Sequence, residues 1–194
     1  MEPVPRPEWA SPIEVGTHVK SFYSALPEQP TREVLDALRE DSRVLGLFAQ
    51  RALGRLEFSG RLPSLDWNGS YDRLTQDLVV NAFRSPKTYG KEFSDPGLAN
   101  VSEAGRNLAE AMQRSFYHEV GHHILQMAGP EAERQAARLL RSGKAFPISR
   151  RAAQRGSEYF SETFSAYRFE DALADKDPEG YHMIEAILRT VGRK

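Results

Sequence analysis

The stretch YHEVGHH, residues 117–123, holds the side chains of this sequence with the clearest chemical potential. His118 and His122 are four positions apart, so on a helix they share one face, with about 5–6 Å between their Cβ atoms. Two imidazoles at that spacing can bind one metal ion, and Glu119 then lies beside the ion, where a general base is needed. A pattern of three fixed residues also arises by chance. Other features of the sequence must therefore decide whether these residues form a metal site or only a polar helix surface.

A second acidic pair, Glu158 and Glu162, supplies candidates for a third ligand. The chain has no cysteine, so a metal must be bound by His, Asp or Glu, and a catalytic zinc ion typically takes three protein ligands. The stretch RGSEYFSETFSAYRFEDAL is typical of a helix that begins at Ser157 and carries both glutamates on one face. We expect Glu158 to bind zinc and Glu162 to accept a hydrogen bond from the other ring nitrogen of a ligand histidine. The alternative is a solvated acidic face balanced by Arg155.

Helical patterns surround both segments. The longest predicted helix covers 102–128, where Ser102 can cap the start and Gly129-Pro130 ends it. Its apolar positions, which border the two histidines, are Leu108, Met112, Phe116, Val120 and Ile124. We therefore expect the histidines to face a space next to the core. The other predicted helical regions are 31–54, as one helix or as two broken near Asp41-Ser42, then 131–140, 156–173 and 178–191.

Three short segments within residues 55–85 are typical of strands. They lie around Leu56–Phe58, Trp67–Tyr71 and Leu78–Phe83, and glycines and prolines separate them. The expected fold class is α+β, with a small, mostly antiparallel sheet of three or four strands packed on the helix 102–128. Further helices are expected on both sides of these elements in the sequence.

The motif HEVGHH on a helix, followed by a short helix and then by SEYFSETFSAY, resembles the gluzincin metallopeptidases. Within them it is similar to the group that includes the catalytic domain of anthrax lethal factor, whose relatives occur in toxins and phage-associated proteins. The resemblance covers roughly residues 65–190. It implies a zincin-like fold and one catalytic zinc ion bound by His118, His122 and Glu158. It further implies hydrolysis of peptide bonds through a metal-activated water, with Glu119 as the general base.

The chain departs from this group at Arg151. The group places a tyrosine about seven residues before the ligand glutamate, where it is thought to stabilise the oxyanion, and here that position holds Arg151. Arginine can also donate hydrogen bonds to an oxyanion, so a stabilising role is the first expectation. The departure also favours an alternative, a catalytically weak or inactive module that binds a partner in a phage or toxin-related assembly. A second alternative is a regulatory peptidase with one dedicated protein target.

Other classes of protein fit less well. A metzincin would need a glycine and a third histidine where this chain has Leu125 and Ala128. The 26 basic and 27 acidic residues are mixed along the chain and give a net charge of −1. That balance provides no basic surface for nucleic acid or an anionic membrane. The expected partner, which the resemblance to the gluzincins implies, is a protein or peptide substrate.

The first residues, MEPVPRPEWASP, contain four prolines and neither the basic nor the apolar region of a signal peptide. No apolar run is long enough to cross a bilayer, so we expect a cytoplasmic protein or one delivered by a non-classical route. We interpret residues 1–30 as a proline-rich extension that tethers a single domain, 31–194, to a larger assembly. A free tail is the alternative.

Overall fold

The computed structural model describes residues 17–24, 28–59, 69–81, 108–169 and 172–192. Within these ranges seven helices and a four-stranded sheet form a mixed α+β fold, which confirms the expected class. The strands are β1 (Val19–Ser24), β2 (Leu53–Ser59), β3 (Gly69–Tyr71) and β4 (Leu78–Asn81). The helices are α1 (Glu28–Arg39), α2 (Ser42–Gln50), α3 (Leu108–Ala128), α4 (Pro130–Arg141), α5 (Gly156–Phe169), α6 (Leu173–Lys176) and α7 (Pro178–Val191).

The sheet has the order β1-β2-β4-β3, and most of its pairing is parallel. β1 pairs with β2 and β2 pairs with β4 in parallel, whereas only β3 and β4 are antiparallel. The expectation of a mostly antiparallel sheet is therefore wrong. The reason is the helical crossover through α1 and α2, which returns the chain to β2 in the direction of β1.

The N-terminal boundary at residue 30 is also too late. Strand β1 pairs with β2 from Val19 opposite Leu53, and its Val19 and Phe22 are buried in the core. The prolines that suggested an extension all precede this strand, whose sequence VKSFYS is rich in β-formers. The domain thus takes in residues that the sequence interpretation assigned to the extension.

The N-terminal helical region forms two helices, the second of the two arrangements that the sequence allowed. Asp41 lies between the two helices and caps the start of α2. Its side chain accepts a hydrogen bond from the Val44 backbone N–H at 3.2 Å. α1 begins at Glu28 rather than at Thr31. The last residues of the predicted 31–54 region belong instead to β2.

Helix α3 lies at the centre of the fold. It packs against β3 and β4 on one side and against α5 on another, and its Met112, Phe116, Val120 and Ile124 are buried. The predicted cap Ser102 and the first predicted turn, 102–107, lie outside the described residues. Of the predicted helices near the C-terminus, 178–191 coincides with α7, whereas 156–173 ends earlier, at Phe169, and α6 follows as a separate turn.

Helices α3 and α5 approach unusually closely at Gly121. A Cβ atom on Gly121 would lie 2.8 Å from the Ser161 Cα atom, well inside the van der Waals distance. About two turns before Gly121 in α3, the Arg114 carbonyl accepts a hydrogen bond from Ser165 Oγ of α5 at 3.0 Å. Because the side chain is absent at Gly121, the helix with the histidines can lie directly against the helix with the glutamates.

Among the helices of the described ranges, none has the combination of length and apolar character that crossing a membrane requires.

Candidate metal centre

The structure brings the two histidines of α3 and the glutamates of α5 together at the α3–α5 contact. The Nε2 atoms of His118 and His122 are 3.2 Å apart. The Glu158 carboxylate places one oxygen 3.4 Å from His118 Nε2 and the other 3.7 Å from His122 Nε2. Three side chains from two distant parts of the sequence therefore converge on one small volume.

This spacing fits a single metal ion. Ligand atoms about 2.0–2.1 Å from a tetrahedral ion lie about 3.3–3.4 Å from one another. The two Nε2 atoms, at 3.2 Å, and the pair His118 Nε2 and Glu158 Oε2, at 3.4 Å, are close to that separation. Two imidazoles and a carboxylate are also a donor set that suits a divalent ion such as zinc. A carboxylate oxygen of Glu119 lies within 4.8 Å of ligand atoms on both histidines, so this side chain flanks the same volume.

Glu162 lies on the other side of the His118 ring. Its Oε1 atom is 3.4 Å from His118 Nδ1, whereas Glu158 faces Nε2. A carboxylate at Nδ1 favours a proton on that nitrogen and leaves Nε2 free to bind a metal. The positions agree with the two different roles expected for the glutamates, and the roles themselves stay predictions.

The two histidines differ in charge in the metal-free protein. Burial alone would lower the pKa of His118, but the charge of Glu162 and hydrogen bonds to Glu158 and Glu162 outweigh it and raise the pKa to about 10. Burial, together with the neighbouring charge of His118, lowers the pKa of His122 to about 3. His118 therefore holds a proton between two carboxylates, and a metal ion must displace that proton to bind.

The acidic residues respond in opposite ways to the same surroundings. Burial raises the pKa of Glu119 to about 7, against the opposing charges of His118 and Arg151. For Glu158, burial is outweighed by the hydrogen bond with His118 and the nearby positive charges, which lower the pKa to about 2. Glu158 is thus a permanent carboxylate, suited to binding a cation, and Glu119 can take up and release a proton near neutral pH.

Arg151 lies in direct contact with Glu158. Its Nε atom is 2.6 Å from Glu158 Oε2, and two-thirds of the arginine side chain is shielded from solvent. The arginine therefore orients the carboxylate that faces the histidines. Arg151 also lines the cleft. Its position is therefore compatible both with orienting Glu158 and with the predicted contact to an oxyanion.

The centre opens into a cleft of about 430 Å³. Strand β3, at the edge of the described sheet, lines the cleft, as do Arg151 and the residues from Arg155 to Glu158. Arg73, in the turn after β3, makes two contacts of 3.1 and 3.2 Å with the Glu133 carboxylate of α4. Both residues of this ion pair line the cleft.

Three further residues shape the site and were not predicted from the sequence. A Cβ atom on Gly69 of β3 would lie 2.8 Å from the Glu119 carboxylate, so this glycine makes room for it. Gly121 brings α3 and α5 together, and a glycine inside a helical pattern was the one available signal. Tyr71 of β3 lines the cleft and bonds to His123 Nδ1 at 2.9 Å.

The buried His123 connects strand β3 to the rest of the fold. Its Nε2 atom lies 3.0 Å from the Arg51 carbonyl, which can only accept, so Nε2 donates. The other ring nitrogen, Nδ1, lies 2.9 Å from the Tyr71 hydroxyl. Burial lowers the pKa of His123 to about 4, which keeps the ring neutral in this network. The third histidine of the motif therefore positions the edge strand and lies outside the set of possible ligands.

Comparison of the chain with protein-family models, with curated proteins and with solved structures gave no significant match.

Proposed function

We propose that this protein is a zinc-dependent metalloendopeptidase of the gluzincin type, with a zincin-like fold. The observation that carries the proposal is the position of Glu158, whose two oxygens lie 3.4 and 3.7 Å from the Nε2 atoms of His118 and His122. A polar helix surface would not bring a carboxylate from a helix 36 residues further along the chain to these two atoms.

In this proposal His118, His122 and Glu158 hold the zinc ion, and Glu162 fixes the orientation of the His118 ring. A bound zinc ion would supply Lewis-acid chemistry, lowering the pKa of water and polarising the scissile carbonyl. The fourth position of a catalytic site is left for water or substrate. Burial of His118 and Glu119 limits the water that competes for these groups.

Glu119 acts as the general base. It accepts a proton from the attacking water and later donates it to the leaving amine. The group must be ionised before the attack and protonated after it, and its burial, which raises the pKa of the carboxyl, helps it to hold the proton between the two steps. The absence of a side chain at Gly69 leaves room for this carboxylate in the lining of the cleft.

The substrate would bind as an extended peptide along the edge of β3. The described sheet ends at this strand, and an exposed edge can add one more strand through main-chain hydrogen bonds. Arg151 faces the same cleft and would donate hydrogen bonds to the developing oxyanion while it orients Glu158.

The test compares zinc content and proteolysis in two sets of variants. Wild-type protein should bind about one equivalent of zinc and cleave a complex peptide mixture, and Glu119→Gln should keep the zinc and lose the cleavage. His118→Ala and His122→Ala should lose the metal, and Glu158→Ala should weaken its binding. Mass spectrometry of the peptide products and metal analysis after dialysis provide the two readouts.

The outcomes separate this proposal from its alternatives. Zinc binding with no cleavage of any peptide would favour a partner-binding module or a peptidase with one dedicated protein target. A stronger loss of zinc in Glu162→Ala than in Glu158→Ala would move the third ligand by one helical turn. Cleavage that survives Glu119→Gln would refute the assignment of the base.

A further inference from the structure

We infer that the cleft selects substrates that carry a carboxylate close to the scissile bond, as an aspartate or glutamate side chain, and that Arg155 recognises it. The inference rests on the proposed peptidase function and adds a class of substrate to it. It depends on which charges in the cleft are already paired and which are free.

Most charged side chains of the cleft have partners within it. Arg73 pairs with Glu133 through two contacts, and Arg151 pairs with Glu158 at 2.6 Å. Each of these pairs is neutral as a unit. They therefore add little to the net charge that a substrate meets.

Two charged residues of the cleft remain, Glu119 and Arg155. Glu119 is buried against the histidines and Gly69, and the proposed chemistry uses it. Arg155 is exposed, lines the cleft and forms no side-chain hydrogen bond or ion pair with any described residue. It is the charged group of the described cleft wall that a substrate can approach without breaking an existing contact.

The backbone beneath Arg155 is held firmly. Its carbonyl accepts a hydrogen bond from the Tyr159 N–H at 2.8 Å, and the next residue, Gly156, packs against Ala137 of α4. A Cβ atom on Gly156 would lie 2.5 Å from the Ala137 backbone nitrogen, so the chain cannot shift at this point without a clash. The guanidinium therefore projects from a fixed point on the cleft wall.

A bound divalent metal strengthens the same preference. Zinc would add two positive charges, of which Glu119 balances one when ionised, because Glu158 is already paired with Arg151. Arg155 then leaves the cleft with a net positive charge. Guanidinium groups bind carboxylates through paired N–H donors, so an acidic side chain is the substrate group that this cleft matches best.

A free carboxyl end of a peptide presents the same chemistry as an acidic side chain. The two sources are distinguished by blocking the end. Three fluorescent peptides of equal length serve as probes: an alternating Ala-Glu peptide and an alternating Ala-Gln peptide, both acetylated and amidated, and the Ala-Gln peptide with a free carboxyl end.

The experiment measures binding of these probes to the zinc-loaded Glu119→Gln protein by fluorescence anisotropy. The amidated Ala-Glu peptide should bind about fivefold more tightly than the amidated Ala-Gln peptide, and added salt should reduce the difference. The substitution Arg155→Gln, in the same background, should abolish the preference. Arg150→Gln is the matched control, because Arg150 is an exposed arginine of the same segment that does not line the cleft, and it should leave the preference intact.

Equal binding of the two amidated peptides would overturn the inference, and so would a preference that survives Arg155→Gln. A preference confined to the peptide with the free carboxyl end would replace the side chain with the chain terminus as the recognised group. Wild-type protein that cleaves peptides without regard to acidic residues would sink this inference and leave the proposed function standing. Selective binding of the acidic peptide without any cleavage would refute the proposed peptidase function and leave the recognition of acidic side chains by Arg155 standing.

Discussion

Gly121 provides the sharpest test of how the fold builds the metal centre. Replacing it with alanine adds a Cβ atom 2.8 Å from the Ser161 Cα atom and 3.2 Å from its Cβ and Oγ atoms. Carbon atoms in contact lie about 3.5–4.0 Å apart, so α3 and α5 must separate by about 1 Å at this point. The separation moves Glu158 away from both histidines.

The expected effect follows from the tolerance of a metal site. Metal–ligand distances vary by only about 0.2 Å, so a shift of about 1 Å should lower the zinc affinity at least about tenfold. The overlap should also lower the free energy of unfolding by about 1–3 kcal/mol. If the helices had room at Gly121, the same change would instead stabilise the protein by about 1 kcal/mol, because alanine is the better helix former.

Gly46→Ala is the matched control. Gly46 lies inside α2, and a Cβ atom there would meet nothing within 4 Å, so this variant should gain about 0.5–1 kcal/mol and keep its zinc affinity. Urea denaturation of the chelator-treated proteins measures stability, and competition with a chromophoric chelator measures zinc affinity. Equal behaviour of Gly121→Ala and Gly46→Ala in both assays would refute the close contact between α3 and α5.

Three further predictions concern the base, the support of the fold and the metal. Gly69→Ala places a Cβ atom 2.8 Å from the Glu119 carboxylate, so turnover should fall at least about tenfold while zinc content stays unchanged; equal rates would contradict this. Asp177→Ala leaves the Tyr159 hydroxyl and two backbone N–H groups without their buried acceptor and should cost about 3 kcal/mol of stability in urea denaturation. Its zinc affinity should not change, because neither Asp177 nor these partners line the cleft, and a parallel loss of zinc would argue otherwise. Saturating zinc should raise the melting temperature by about 10 °C over chelator-treated protein, and a similar rise in His118→Ala would place the metal elsewhere.

The helices could be predicted well because their signals are local. Apolar residues at helical spacing and a proline at position 178 suffice to define α7, whose predicted and observed bounds coincide. Glycine and proline after α3 likewise fixed its C-terminal end. Local sequence patterns could not predict that Glu158 lies next to the two histidines. That expectation came from the need for a third metal ligand and from the resemblance to the gluzincins.

The sheet was harder to predict because strand direction depends on connections far along the chain. β1 follows a proline-rich segment, and the strand it pairs with among the described residues, β2, comes only after two helices, so the pairing becomes visible only once α1 and α2 are placed. The contact between Arg151 and Glu158 was equally hidden. Two residues seven positions apart carry no sign that a turn will bring their charged groups to 2.6 Å.

Crystals of the zinc-loaded protein, measured on both sides of the zinc absorption edge, would locate the metal without any assay of activity. We expect one anomalous peak per chain, about 2.0–2.2 Å from the Nε2 atoms of His118 and His122 and from one oxygen of Glu158. A peak coordinated by Glu162 in place of Glu158, or zinc bound only at the protein surface, would contradict the proposed metal centre.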